Sequence, residues 1–136
     1  EAGLARPKVK AADFHGKEAY VQQRELETQA AYLCTFELGD TTDSNGVIRY
    51  PIGNWPILDR DTKDVIVDSH GRRSYTTSMA YGPSLGKNIA MGYLPADKAV
   101  EGDVVLVEYF GEHYDATVMK VGYGALLDPT NERPRS

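Results

Sequence analysis

Ser78-Met79-Ala80-Tyr81-Gly82-Pro83-Ser84-Leu85-Gly86-Lys87-Asn88-Ile89-Ala90-Met91-Gly92-Tyr93-Leu94-Pro95 reads as strand, turn and strand. Gly82 and Gly86 frame a loop in which glycine permits positive φ and Pro83 stiffens the turn. Residues 88–94 form a strand with Ile89, Met91 and Tyr93 on one face. Ala90 and Gly92 leave the other face nearly bare. Small residues inside a strand mark a tight bend or the close approach of another backbone. Residues 72–79, rich in Tyr and Thr, supply the strand before the turn.

The run from Gly82 to Asn88 also has the outline of a phosphate-binding loop. It fails on three counts. The spacing is one residue short, Asn88 stands where Ser or Thr is needed, and a strand follows where a helix is required.

Outward from this stretch, short alternating segments repeat. Residues 31–38 alternate around Tyr32, Cys34 and Phe36 and read as a strand. Residues 39–46 form a polar loop ending in the turn signal Asn45-Gly46. Residues 52–58 contain Trp55 and an internal Pro56, so any strand there is short and at an edge. Residues 65–67 are a compact strand core followed by a turn at His70-Gly71, and residues 95–100 make one helical turn. Residues 103–110 and 114–120 form the clearest hairpin. Val105, Val107 and Tyr109 oppose Tyr114, Ala116 and Val118, and Gly111-Glu112 serves as a two-residue turn. Near the start, Asp13 caps a short helix over residues 16–27, with Ala19, Tyr20 and Leu26 as its small apolar face.

Six short strands behind one helix predict a mainly β chain: a small antiparallel six-stranded barrel, Greek-key-like, with one N-terminal helix. Closing the sheet removes its exposed edges. The organisation is a lead-in and helix over 1–30, a barrel over 31–121, and a tail over 122–136.

Composition narrows the function. A hydrophobic share of 41% against 26% charged residues is the balance of an ordinary globular chain. A length of 136 residues suffices for one domain with a core. The formal charge of -5, with no basic stripe, speaks against a nucleic-acid partner. No apolar run approaches the ~18 residues of a membrane span. Cys34 is the single cysteine, so no disulfide forms within the chain. That fits a reducing compartment, and a cytoplasmic location is expected. Between Leu33 and Thr35-Phe36, Cys34 reads as a buried strand thiol and not as a nucleophile. The chain begins at Glu1 with no charged-then-apolar leader, and is read as a processed or excised fragment.

The candidate chemical groups are few. Asp40, Asp43, Asn45 and Gly46 outline part of a calcium loop. With Gly46 at its sixth position, Thr41 and Ile52 fall where carboxylates are needed, and a solvated turn is the better reading. His15, His70 and His113 lack ligand spacing. Trp55, beside Pro56, is read as half-buried packing. Arg133 and Arg135 end a polar tail. An Arg pair suits a carboxylate or phosphate once something orders it. No catalytic residue and no metal site is nominated from the residues themselves.

Several motifs together carry a resemblance. Asp13-Phe14-His15-Gly16-Lys17-Glu18-Ala19 is similar to an Asp-Phe-Ile-Gly-Lys-Glu-Ala element of the glycine cleavage T-protein (aminomethyltransferase) family, with His15 departing from the usual aliphatic. Thr77-Ser78, followed by the run from Tyr81 to Tyr93, resembles that family's most recognisable stretch. Glu108-Tyr109-Phe110-Gly111 and Ala116-Thr117-Val118 resemble its last hairpin. The resemblance covers most of the chain, from Asp13 to Val118. It implies a C-terminal barrel packed on an upstream folate-binding domain, completing a tetrahydrofolate cleft in a one-carbon-transfer enzyme and inactive alone. In that family the catalytic Asp and most folate contacts lie upstream, so no catalytic residue is carried over.

The tail Asp128-Pro129-Thr130-Asn131-Glu132-Arg133 resembles the ends of dimethylglycine and sarcosine dehydrogenases. This implies a parent oxidoreductase acting on methylated amines, with room for FAD in a further upstream domain. On this reading Arg133 and Arg135 return toward the folate cleft as cofactor-binding residues. Residues 40–50 and 67–70 depart from the pattern and leave the substrate subtype open. Two alternatives stand beside the resemblance: a self-standing small-barrel binding module, and a fragment of a folate-dependent demethylase.

Overall fold

The computed structural model describes residues 1–4, 9–26, 29–50, 52–122 and 124. Its elements run α1 (Lys17–Arg24), β1 (Ala31–Leu38), β2 (Ile57–Leu58), β3 (Thr76–Gly82), β4 (Lys87–Pro95), β5 (Val104–Tyr109) and β6 (Glu112–Val121). The strands make one sheet in the order β2-β5-β6-β1-β4-β3, every pairing antiparallel. The first strand lies inside the sheet, between β6 and β4, and residues 39–56 carry the chain from it to the far edge. That crossing makes the topology Greek-key-like, as expected.

The sheet curls into a half-barrel, and its two edges meet along a thin seam. Pro56 and Tyr75 form an isolated antiparallel bridge. The Ile57 amide donates to the Ser74 carbonyl at 3.0 Å, the Thr76 amide to Trp55 at 2.8 Å, and the Asn54 amide to Thr76. Two glycines permit the close approach. A Cβ on Gly53 would lie 2.8 Å from the Thr77 carbonyl oxygen. One on Gly92 would lie 2.6 Å from the Tyr75 oxygen and 2.9 Å from Ile57 Cδ1.

The bare face of β4 is therefore the inner face. Ala90 and Leu94 are fully buried there, and the space over Gly92 is taken by Phe36 and Ile57. Cys34, Phe36 and Leu38 of β1, Val105 and Val107 of β5, and Ala116 and Val118 of β6 complete the core with Ile57 and Ile66. Alternation along each strand produces this result, because every second side chain points inward.

The structure corrects several expectations. α1 ends at Arg24, short of residue 27, and no side chain caps it: Gly16, at φ 82°, holds the N-cap position where Asp13 was expected. None of its residues is buried, so little apolar packing extends it. Residues 65–67 contribute only the isolated bridges Leu58↔Val65 and Val67↔Arg73, not a continuous strand. β3 starts at Thr76, four residues later than predicted, because residues 72–75 are occupied with the seam and with a turn. The hairpin turn is Phe110-Gly111, one residue earlier than Gly111-Glu112. Tyr109 pairs with Glu112, and both turn residues have positive φ (52° and 78°). The facing pairs Val105↔Ala116 and Val107↔Tyr114 stand as expected.

Candidate functional site

The β3–β4 hairpin forms as its sequence predicts. The amides of Leu85 and Gly86 both reach the Gly82 carbonyl, at 3.0 and 2.8 Å, closing the glycine-framed turn. Lys87 Nζ pairs with Glu37 Oε1 at 2.5 Å and pins the turn to β1. On the outer face, Ala80 lies opposite Ile89 and Ser78 opposite Met91, while β1 sets Thr35 beside Met91 and Leu33 beside Tyr93. Ile89, Met91 and Tyr93 thus share one outward stripe. Beside it runs a shallow apolar groove of about 220 Å³ along Ser78, Ala80, Tyr81, Ile89 and Met91. Tyr81 is more than half exposed there.

At the other end of the hairpin, the N-terminus and residues 68–77 enclose a recess of about 240 Å³. Arg72 forms one wall. Its Nε donates to Asp68 Oδ2 at 2.6 Å and its Nη2 to Glu1 Oε1 at 2.8 Å. The hydrogen bonds to Glu1 and Asp68 raise the Arg72 pKa beyond its ordinary value. Burial works against the Asp68 charge. The Arg72 amide, the guanidinium and the His70 amide outweigh it and hold the carboxyl below its usual range. Beyond Arg72 a half-open groove of about 590 Å³ continues past Gln23, Gln29, Ser69 and His70.

The same device recurs. Asp43 Oδ1 accepts the Asn45 and Val47 amides, each at 2.9 Å, and its Oδ2 accepts Arg49 Nε at 2.7 Å. Asp59 Oδ1 accepts the Asp61 and Thr62 amides, and its Oδ2 pairs with Lys98 Nζ at 2.6 Å. Each carboxylate ties its own turn with one oxygen and a basic side chain with the other. The turn expected at Asp43 forms, but the carboxylate is buried and not solvated, and it spends its lone pairs on the turn amides and on Arg49. Among the described residues no group of three or more His, Cys, Asp or Glu side chains could hold a metal ion. The three histidines are not brought together: His70 lines the larger groove and His113 faces Glu108 across the last hairpin.

Cys34 is fully buried, and burial pushes its thiol up to about 11. A thiol of that kind carries almost no thiolate at neutral pH and is a poor nucleophile. Trp55 is half-buried, edge-on to Tyr109 with ring centroids 4.6 Å apart, and tilted against Phe110 at 5.3 Å. Sequence reasoning missed the Tyr114 hydroxyl, which is buried without a hydrogen-bond partner among the described residues. It also missed the recess, whose walls come from segments far apart in the chain. Arg133 and Arg135 lie outside the described residues.

The described geometry offers walls and grooves on a barrel. Residues 53–121, more than half of the chain, match the family described as the glycine cleavage T-protein C-terminal barrel domain. The chain belongs to that family. Among the relatives of this T-protein barrel, an aminomethyltransferase of Prochlorococcus marinus (strain MIT 9303) is 52% identical over 44 residues, 32% of this chain and 12% of that protein. The mitochondrial dimethylglycine dehydrogenase of Rattus norvegicus is 29% identical over 124 residues, 91% of this chain and 12% of that protein. The crystal structure of the glycine cleavage system aminomethyltransferase T from Bartonella henselae superposes with a TM-score of 0.58. That match has 21% identity and covers 79% of this chain and 25% of that one, and it shows the shared fold. The T-protein barrel thus spans about an eighth of the curated relatives it matches. No helix among the described residues is long and apolar enough to cross a membrane.

Proposed function

We propose that this T-protein barrel is the C-terminal domain of a folate-dependent one-carbon-transfer enzyme, within a dimethylglycine- or sarcosine-type oxidoreductase. It completes a tetrahydrofolate cleft and supplies no catalytic group. The observation that carries this reading is the alignment with rat dimethylglycine dehydrogenase, which takes in 91% of this chain and only 12% of that protein. The surfaces support it. The recesses of the described residues are half-open, so they fit one wall of a shared site better than an enclosed one. Tetrahydrofolate, when bound, supplies the acceptor for the one-carbon unit. The apolar hairpin groove beside Tyr81 and Met91 suits packing against the upstream folate-binding domain. An FAD belongs, on this reading, to a domain further upstream. A cytoplasmic location is part of the same proposal, and the rat relative's mitochondrial name marks the other compartment to test.

Arg133 and Arg135 are the residues proposed to meet the carboxylates of folate, because a guanidinium grips a carboxylate with two parallel hydrogen bonds. Titrating tetrahydrofolate into the whole parent protein, intact and lacking residues 131–136, tests this. Weaker binding in the truncated protein is expected, and equal affinities would remove the tail from the cleft. Sequencing the genomic region upstream of Glu1 tests the domain reading. A reading frame continuing into a folate domain supports it, and a start codon at Glu1 would favour a self-standing binding module.

A further inference from the structure

We propose that the recess between Arg73, Tyr75 and Tyr93 is a binding site for a small carboxylate. The argument begins with charge. Four ionic side chains line the recess: Glu1, Asp68, Arg72 and Arg73. Both carboxylates are spent on Arg72, at 2.8 and 2.6 Å. Arg73 has no hydrogen bond or ion pair from its side chain to any described residue, so among the described residues the recess holds one guanidinium without a direct partner.

The Arg73 backbone is held in place, while its side chain is exposed. The Val67↔Arg73 bridge and the Ser74 amide bond to Ile66, at 2.8 Å, hold the backbone on both sides. Along this extended segment Arg73, Tyr75 and Thr77 fall on one face, since alternate residues share a side. Thr77 Oγ1 donates to the Met91 carbonyl at 3.1 Å, so its proton is already engaged and Arg73 is left as the charged side-chain donor on this face. Ser74 and Thr76, between them, are buried on the opposite face, so Ser74 borders the recess through its backbone. The rings of Tyr75 and Tyr93 give the recess an apolar flank.

The ligand class follows from this set. A planar fork of N–H donors matches a carboxylate bidentately. Glu1 and Asp68 in the wall disfavour a doubly charged phosphate, and the tyrosine rings favour an anion with an apolar body. A volume of about 240 Å³ lies below the span of drug-sized pockets, so the ligand is of amino-acid size. None of its residues belongs to the tail, so the part given to Arg133 and Arg135 in the folate reading can fail without touching this site.

The test is a titration of the ¹⁵N-labelled 136-residue chain with benzoate, followed by amide chemical shifts, with inorganic phosphate run alongside. Saturable shifts centred on Ala31, Tyr75, Thr77 and Tyr93 are expected. Arg73→Ala should weaken binding by about tenfold or more, the size of a charge-assisted hydrogen bond, and Arg73→Lys by less. Arg60→Ala, on another surface, and deletion of residues 131–136 should leave it unchanged. The assignment is overturned by benzoate shifts that do not saturate, by wild-type affinity in Arg73→Ala, or by phosphate binding more tightly than benzoate.

Discussion

Gly92 shows how much one missing side chain can decide. Its absent Cβ is where the Tyr75 carbonyl, Ile57 and Phe36 converge, and the nearest of these is backbone, which cannot swing away. Gly92→Val should cost about 1–3 kcal/mol through overpacking, read as a lower urea midpoint at unchanged slope. A midpoint within error of wild type would refute the close contact. Cys34 makes a second claim at this scale. With its thiol buried and raised to about 11, labelling by thiol reagents at pH 7 should follow unfolding and not the reagent concentration. Fast labelling of the native chain would place Cys34 on the outer face and shift the register of β1 by one.

Turns carry the element-scale predictions. Phe110 occupies a left-handed conformation at φ 52° and is largely exposed, braced by the rings of Trp55 and Tyr109. Phe110→Ala loses the rings and keeps the strained backbone. Phe110→Asn also loses the rings, but asparagine is at home in that conformation before a glycine. The Asn variant should therefore be the more stable of the two by roughly 0.5–1 kcal/mol in chemical denaturation. The Asp59 turn predicts a pH dependence. The Lys98 hydrogen bond, then the amides of Thr62 and Asp61, hold this carboxyl down at about 2, from an ordinary 3.8. A depressed carboxyl stabilises the fold fully above its unfolded value and loses that contribution as pH falls through the folded one. The stability gap between wild type and Asp59→Asn should thus be widest near neutrality and shrink between about pH 4 and pH 2. A gap that stays constant down to pH 2 would show that the carboxylate does not tie this turn. The elements themselves were legible to different degrees. β1 and the two late hairpins declared themselves by alternation and glycine. The Phe110-Gly111 turn did not, because glycine was read as the first turn residue and a phenylalanine gives no warning of positive φ. Residues 65–75 misled for another reason: their apolar run serves isolated bridges at the seam, and nothing local reveals which distant strand they meet.

At the scale of the molecule, the family could be read from motifs, and the sheet order and seam could not. The recess around Arg73 was hidden because Arg72-Arg73 reads as plain turn charge. Only the fold shows that Arg72 is paired twice, while Arg73 has no side-chain partner among the described residues. The placement of Arg133 and Arg135 still rests on sequence. The functional proposal predicts that the 136-residue chain alone turns over neither tetrahydrofolate with a methylated glycine nor the free amine. Robust turnover by the purified chain would sink it.

The central place of β1 has a consequence for how the chain is made. Its neighbours are β4 and β6, so Cys34 must wait for Gly92 on one side and Val121 on the other. During synthesis the strand Ala31–Leu38 emerges before either partner, and until they follow it keeps two unpaired edges and a half-apolar face. Such a segment invites wrong pairing with its own kind. Ribosome-bound chains halted before residue 87 should therefore be open to protease within residues 31–38, and chains released after residue 122 should resist it.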